Sequence, residues 1–454
     1  MKLESVFLIP NVMFICMNTR LPETLYFNKS ETGTRLSVWV SVSHISLSIF
    51  VIVLLLSFFL SVPASHAETK NTATFLNKIH PYLKNGSALV VDQQGNEIFA
   101  YNPDRKMVPA SILKIATADA VLSELGEDYR IPTQFYLTAD SYLAVKGYGD
   151  PSLVSESLTD IALQLKPILK KLNNTELKGI IMDSSFFKPR QKINGQSNSN
   201  NPYDASIGAL VVNYNTIYVH KSRQGKLSSA EPQTPLTPTV RKLARNIPYG
   251  KQRINLGNNE EQNLVYFAEL LYYKLSEQGI GVSTPLSIMH KAVPEGSIKL
   301  YTHYSRPLSE IVQQLLYYSN NLTANQLLLI LGAGQYGMPA DLPKGQKALR
   351  NFLSRTIGLN DFSLNEGSGL SRQNRFTARQ FIKILQHFEP YHYLLRAYDE
   401  KFLAKTGTLN GVATFAGYMI SPQNNNIPFV IMLKQPKRSH YRYKIAEMLY
   451  EYLF

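Results

Sequence analysis

Three short residue patterns could together carry out acyl transfer. In Ser111-Ile-Leu-Lys114 a hydroxyl and an amine lie three positions apart, which on a helix puts them on one face, one turn apart. A serine hydroxyl is a poor nucleophile until a neighbour takes its proton, and a lysine can do so once burial and nearby cations lower its pKa. The unpaired N–H groups of a helix N-terminus favour the negative charge that develops. Alone the pattern is weak, because Ser185-Phe-Phe-Lys188 repeats it; there Pro189 follows at once and short strands flank it, so a structural role is expected. Ser319-Asn-Asn321 is weaker still, since Ser199-Asn-Asn201 matches it inside a polar loop, and by itself it reads as a helix-ending cap. Its place where two apolar helices meet is what can aim its side chains into a cleft. In Lys405-Thr406-Gly407-Thr408, a lysine on a strand can hold a substrate carboxylate and Thr406 can hydrogen-bond it. Gly407 lets the backbone come close, so the N–H groups of Thr408 and Ser111 can stabilise an oxyanion. Taken singly, this segment reads equally well as a strand-end turn.

These residues need elements to hold them. The amphipathic stretch Ala73 to Leu83 predicts a helix, Ser87 to Val91 a strand, residues 93 to 96 a tight turn, and Glu97 to Tyr101 a second strand. Pro109 and Gly126 bracket apolar positions Ile112, Ile115, Ala116, Val121, Leu122 and Leu125, which predicts a helix with Ser111 in its first turn. From 135 to 288, short alternating runs (Thr133 to Leu137, Leu143 to Lys146, Gly179 to Met182, Ala209 to Val219) predict a β-rich insertion, with an irregular exposed loop over Asn194 to Asn201. Beyond Pro307 the helical period returns at Ile311, Val312, Leu315 and Leu316 and again from Leu322, with Ser319-Asn-Asn321 as connector. Strands follow over Lys401 to Leu409, Val412 to Ile420 and Ile427 to Leu433, then a last helix from His440 to Leu453. Strands near both ends of the chain predict one antiparallel sheet flanked by helices. This is an α+β fold with its catalytic part at 68–134 and 289–454 and the insertion, 135–288, between the first and second patterns.

With 454 residues, 44% of them hydrophobic and 18% charged, the chain can bury a large core and hold more than one domain. Residues 1–67 read as a leader. A nearly unbroken apolar run from Leu36 to Val62 ends in Pro63-Ala64-Ser65-His66-Ala67, which sets small residues at the minus three and minus one positions of a signal-peptide cut after Ala67. The run is also long enough for an uncleaved anchor, but Pro63 and the small residues favour cleavage. The one cysteine, Cys16, falls in the leader, so the exported chain would have no thiol and no disulfide. The net charge of +14 suits a weak association with an anionic membrane surface or an acidic polymer such as cell-wall glycan-peptide. No zinc-finger, P-loop or aromatic RNA-binding motif occurs and the basic residues are dispersed, so nucleic acid is not an expected partner. The sequence has no H-E-x-x-H or clustered ligand set, and no metal or other cofactor is expected; a Ser-His-Asp triad lacks a G-x-S-x-G centred on a plausible nucleophile.

In this order, S-x-x-K, S-x-N and K-T-G on their proper elements are the signature of active-site-serine penicillin-recognising enzymes. From residue 71 to its end the chain resembles the D-alanyl-D-alanine carboxypeptidase/endopeptidase family of penicillin-binding protein 4 type, peptidase family S13. The long separation of Ser111 and Ser319 points to that branch, which carries inserted domains there. Further matches are Gly147-Tyr-Gly-Asp150-Pro151, Asp183-Ser-Ser-Phe186, Asn201-Pro-Tyr203 leading to Ala209-Leu210 and Asn213-Tyr-Asn215, and Gly367-Ser-Gly-Leu-Ser-Arg372 with Asn374. Glu366 stands where the family more often has Asp, and the insertion is short for the family.

The resemblance implies a serine β-lactamase/DD-peptidase (transpeptidase-like) fold and an exported, periplasmic enzyme. It would cleave peptidoglycan stem peptides through a Ser111 acyl-enzyme, with β-lactams as covalent inhibitors. Lys114 would serve as base, Ser319, positioned by Asn321, would relay a proton to the leaving amine, Lys405 and Thr406 would bind the terminal carboxylate, and Thr408 would complete the oxyanion site. One alternative is a β-lactamase-like hydrolase. The deacylating Glu-x-x-x-Asn of class A enzymes is missing, however, since Glu366, Glu389 and Glu400 have Leu370, Tyr393 and Ala404 four residues on. A catalytically idle cell-wall-binding protein of the same fold is the other alternative, and the completeness of the three patterns speaks against it. Trimming of a terminal D-alanine and cutting of cross-links use the same chemistry, and the sequence does not choose between them.

Overall fold

The computed structural model describes residues 65–434 and 440–454. The apolar run from Leu36 to Val62 and Cys16 therefore lie outside the described residues. The chain divides after Thr69 into two compact units, and the architecture below belongs to the second, Lys70–Phe454. No helix among the described residues is long and apolar enough to cross a membrane.

Helix α1 (Ser65–Leu83) leads into strands β1 (Gly86–Val91) and β2 (Glu97–Tyr101), and the serine segment follows as a short 3-10 turn, Ala110–Ile112, running into helix α2 (Leu113–Leu125). The insertion holds β3 (Pro132–Leu137), β4 (Tyr142–Gly147), helix α3 (Ser155–Lys171), β5 (Glu176–Asp183), β6 (Thr216–Lys221), β7 (Leu227–Ser229), β8 (Gly250–Asn255), helix α4 (Glu260–Glu277), β9 (Gly281–His290) and β10 (Ile298–Tyr304). The chain then returns through helices α5 (Leu308–Tyr318), α6 (Asn321–Tyr336) and α7 (Ala378–Phe388). Strands β11 (Arg396–Tyr398), β12 (Phe402–Leu409), β13 (Val412–Ile420) and β14 (Asn426–Leu433) and helix α8 (Tyr441–Leu453) complete it.

The main sheet has the order β11-β12-β13-β14-β1-β2, all antiparallel, so segments from both ends of the chain meet where β1 pairs with β14 (Gly86 opposite Leu433). Strands β1, β13 and β14 are buried almost throughout because both faces are covered. Alternate residues sort accordingly: Leu89, Val430 and Met432 join the core that holds α2, α6 and α7, while Ala88, Phe429 and Ile431 join the core formed with α1 and α8. Helix α2 is buried from Leu113 through Leu122, the mark of a central helix and not a surface one.

The insertion is the expected β-rich body with two additions. Its five-stranded sheet, β10-β3-β4-β5-β9, takes in residues 132–137 and 298–304, so strand pairing runs past both 135 and 288. It is richer in strand than in helix, as expected, but also holds long helices, with α3 burying Leu158, Ile161, Ala162, Leu165 and Leu169 at helical spacing. A three-stranded sheet, β7-β6-β8, completes it. The run Ala209 to Val219 is not one strand. Asn213, Tyr214 and Asn215 have φ of 52°, 57° and 49°, and pairing begins only at Thr216. Asn213 sustains that turn by accepting from the Ser155 amide (3.0 Å) and donating to Ser155 Oγ (2.9 Å) and the Tyr266 hydroxyl (3.1 Å).

Candidate active site

Two close approaches fix the backbone that presents Ser111. A Cβ placed on Gly369 would lie 1.8 Å from the Ala110 carbonyl oxygen, and one on Gly407 would lie 2.7 Å from the Ser111 amide nitrogen. Only glycine lets the loop and the strand come so near. Between them Ala110 is held at φ 50°, a left-handed conformation that costs an L-residue about 1–2 kcal/mol. The Thr414 hydroxyl secures the approach by donating to the Pro109 carbonyl (2.8 Å). A Gly407→Ala protein should therefore lose acylation by about 10²-fold or more, because its new methyl group displaces Ser111 or Thr414. Stopped-flow acylation measures this, with thermal melting to show that the fold persists.

Lys114, the second residue of α2 and one turn beyond Ser111, is fully buried. Its Nζ donates to Ser111 Oγ (3.1 Å), Asn321 Oδ1 (2.8 Å) and the Ser368 carbonyl (2.6 Å). Burial pulls its pKa down to about 7, against the field of Glu366, which raises it. Close to neutrality the amine thus exchanges a proton readily, and in its neutral form it offers Ser111 a lone pair. Asn321 is the first residue of α6. Its Nδ2 donates to the Tyr203 carbonyl (3.1 Å), which ties the insertion's loop to the same cluster.

Ser319 closes α5 in a left-handed conformation (φ 61°), and Asn320 caps α6 by accepting from the Thr323 amide. The connector is thus a pair of caps, as the bland reading of S-x-N expected, and it also delivers Asn321 to Lys114. The Ser319 hydroxyl is half-buried and makes no hydrogen bond among the described residues.

Lys405 lies on β12, 2% exposed, with Nζ donating to the Thr406 carbonyl (2.8 Å). Burial holds its pKa well below the usual lysine range, and the charges of Lys114, Arg442 and Arg396 push the same way. The Thr406 side chain is hydrogen-bonded to the Tyr398 phenol. Thr408 Oγ1 accepts from Arg442 (2.8 Å), whose guanidinium also donates to the Gly407 carbonyl (2.7 Å). Ser111, Lys114 and Asn321 are thus joined by direct hydrogen bonds, and Lys405 faces Lys114 electrostatically. Gly407 brings the Thr406–Thr408 strand against the Ser111 amide, while Ser319 stands apart from the hydrogen-bonded cluster. The decoy patterns are elsewhere: the Ser185 amide donates to Asp183 Oδ1, and the Ser199 hydroxyl bonds Asp204.

Two residues to which the sequence assigned no role in the site belong to it. Glu366 is fully buried, and its carboxylate accepts from the amide and hydroxyl of Ser368, Asn325 Nδ2, the Ser371 amide and Asn374 Nδ2. It organises the loop whose Ser368 carbonyl holds Lys114. Asn325, four positions after Asn321 and so on the same face of α6, was the available signal. Arg442 is the second; on the last helix nothing in its neighbours marks it as buried. Glu366→Gln should cost about 3 kcal/mol in urea unfolding, since an amide nitrogen would meet N–H donors. It should also move the acid limb of the rate profile to lower pH, because the field that raises the Lys114 pKa is removed.

A serine and a buried lysine one turn apart, packed against strand β12 of an antiparallel sheet, place this protein among the serine peptidases of the β-lactamase/DD-peptidase fold. The chain belongs to the D-Ala-D-Ala carboxypeptidase 3 (S13) family, whose model matches residues 69–246 and 241–402. The D-alanyl-D-alanine carboxypeptidase DacB of Haemophilus influenzae is 22% identical over 439 residues, covering 82% of this chain and 90% of that one. A penicillin-sensitive carboxypeptidase A of Dictyostelium discoideum is 23% identical over 427 residues, covering 74% and 79%. The crystal structure of penicillin-binding protein 4 from Haemophilus influenzae superposes with a TM-score of 0.68 at 19% identity, covering 83% of this chain and 99% of that one.

Proposed function

We propose that the protein cleaves D-alanyl-D-alanine termini or cross-links of peptidoglycan stem peptides through an acyl-enzyme on Ser111. The observation that carries this is the Lys114 amine, 3.1 Å from Ser111 Oγ and with a pKa lowered to about 7. Neutral Lys114 takes the Ser111 proton as Oγ attacks the carbonyl of the penultimate D-alanine, and the amide N–H groups of Ser111 and Thr408 receive the oxyanion. Ser319, beside Asn321, turns its hydroxyl toward Lys114 and relays the proton that Lys114 has taken to the leaving amine as the C–N bond breaks. Water then attacks the ester and restores Ser111. Lys405 and Thr406 hold the terminal carboxylate, in a field that Arg442 and Arg396 make more positive. The carboxylate of a β-lactam meets the same groups, so penicillins acylate Ser111.

The related cell-wall peptidases support a role outside the cytoplasm. A signal peptide cut after Ala67 would deliver the enzyme to the periplasm, and the net charge of +13 left after the cut would favour residence near anionic wall polymer. Glu366 is the carboxylate whose charge acts on Lys114, but its oxygens are saturated by protein donors, so it is not free to activate water. The penicilloyl-enzyme should accordingly be long-lived, unlike that of a β-lactamase. Peptide mapping by mass spectrometry after brief exposure to penicillin should find the adduct on Ser111, and an adduct on any other residue would defeat the assignment.

A further inference from the structure

A cavity of about 600 Å³ opens between the insertion and the helices that carry the Ser319 connector. It is lined by none of Ser111, Lys114 and Lys405. Its wall includes Pro202 and Asn320, the immediate neighbours of the Tyr203 carbonyl and the Asn321 amide that hydrogen-bond at 3.1 Å. The two sites therefore share a partition, and the volume falls within the range of small-molecule and peptide sites.

Three observations mark this space as a binding site. Arg253 on its wall is paired with Glu231 and bonded to Thr216, whereas the exposed guanidinium of Arg306 has no hydrogen bond or ion pair among the described residues. Beside Arg306 lies Asp150, 1% exposed, whose Oδ2 has no partner and on whose carboxyl Arg306 is the cation that acts. The wall is also built on strained backbone, the left-handed run of residues 213–215. The turn sets Tyr214 in the lining, with its hydroxyl donating to Gln314 (3.4 Å), and Tyr318, 75% exposed, lines the same space. Strain of this kind, about 1–3 kcal/mol per residue, persists only where the surroundings hold it, and here the bonds of Asn213 to Ser155 and Tyr266 keep Tyr214 in the cavity wall. Glu156, exposed and in the same lining, carries a carboxylate with no ion-pair partner among the described residues.

Arg306 and Glu156, neither of whose side chains has a hydrogen bond or ion pair among the described residues, share this lining with amide side chains and two tyrosines, a set complementary to a peptide that bears both a carboxylate and an amine. We propose that this cavity binds a second stem peptide, carboxylate on Arg306 and ammonium on Glu156, while the first stem peptide occupies the cleft at Ser111. The inference rests on the peptidoglycan-peptidase reading above and extends it. A chain that grips two peptides at once, across the partition formed by Tyr203 and Asn321, is suited to cross-linked substrate in preference to single strands.

The test is calorimetric binding of a disaccharide-tetrapeptide muropeptide to protein whose Ser111 has first been blocked with penicillin. Penicilloylation, read by mass, checks the parent reading; binding of the muropeptide checks the cavity, and the two readouts are independent. Saturable binding that survives penicilloylation, weakens about tenfold or more in Arg306→Ala and recovers in part in Arg306→Lys is expected. Tyr318→Ala should weaken it too, and melting curves establish that each variant is folded. Binding that disappears on penicilloylation, is equal in Arg306→Ala, or is matched by the disaccharide without its peptide overturns the proposal.

Discussion

In a Ser111→Ala protein, labelling by a fluorescent penicillin should vanish and cleavage of a pentapeptide muropeptide should fall by about 10⁴-fold or more. The substitution removes one oxygen from a segment whose backbone is set by Gly369, Gly407 and the Thr414–Pro109 hydrogen bond, none of which involves the Ser111 side chain. The fold should therefore survive, and the loss can be read as loss of the covalent step. Labelling that persists in a folded Ser111→Ala protein would defeat the mechanism. A protein that still binds muropeptide but forms no adduct is the expected result.

The same geometry explains which parts of the architecture could be read from the chain. Strands β1, β12, β13 and β14 are bounded by turn residues and filled with β-branched and aromatic side chains, so their existence and nearly their limits were visible. That strands from both ends of the chain share one antiparallel sheet was legible, whereas the particular pairing of β1 with β14 came only from the structure. Helices α3 and α4 were equally periodic, with Leu158, Ile161, Leu165 and Leu169 on one face and Leu264, Phe267, Leu271 and Leu275 on the other, but they were absorbed into a β-rich insertion. Pro167 inside α3 reads as a breaker and is tolerated there. The break at Asn213 depends on Ser155 and Tyr266, which lie far away in sequence, and no local pattern announces it.

The site divides in the same way. Ser111, Lys114 and Asn321 were legible because each belongs to a short pattern on an identifiable element. The residues that tune them were not. Glu366 acts on Lys114 only after a loop folds onto α6 and α2, where Asn325 donates to its carboxylate and holds the Gly367 amide, and Thr117 holds the Gly367 carbonyl. Arg442 reaches Gly407 and Thr408 from the last helix of the chain. A charged residue in a polar loop and an arginine in a terminal helix each have solvent as their default surroundings, and only tertiary convergence changes that.

Lys114 carries the second large effect. Its proton must be absent for Ser111 to be deprotonated, so penicillin acylation should rise with pH, about tenfold per unit, and level off above a midpoint near 7. Lys114→Met should lower the rate by about 10³-fold or more and abolish that acid limb, because no group of the same pKa replaces the amine. The stability follows from the same proton. In the native state Lys114 loses it near pH 7, whereas the unfolded chain keeps it up to the ordinary lysine value of 10.5. Between those limits the unfolded state binds more protons, so this group makes folding more favourable as pH rises, and its full burial penalty is present below the window. Urea unfolding at about pH 6 and pH 9 should therefore show a pH-dependent gain in wild type that is diminished in Lys114→Met. An acylation rate that is flat or falling through neutrality would mean that another group takes the Ser111 proton.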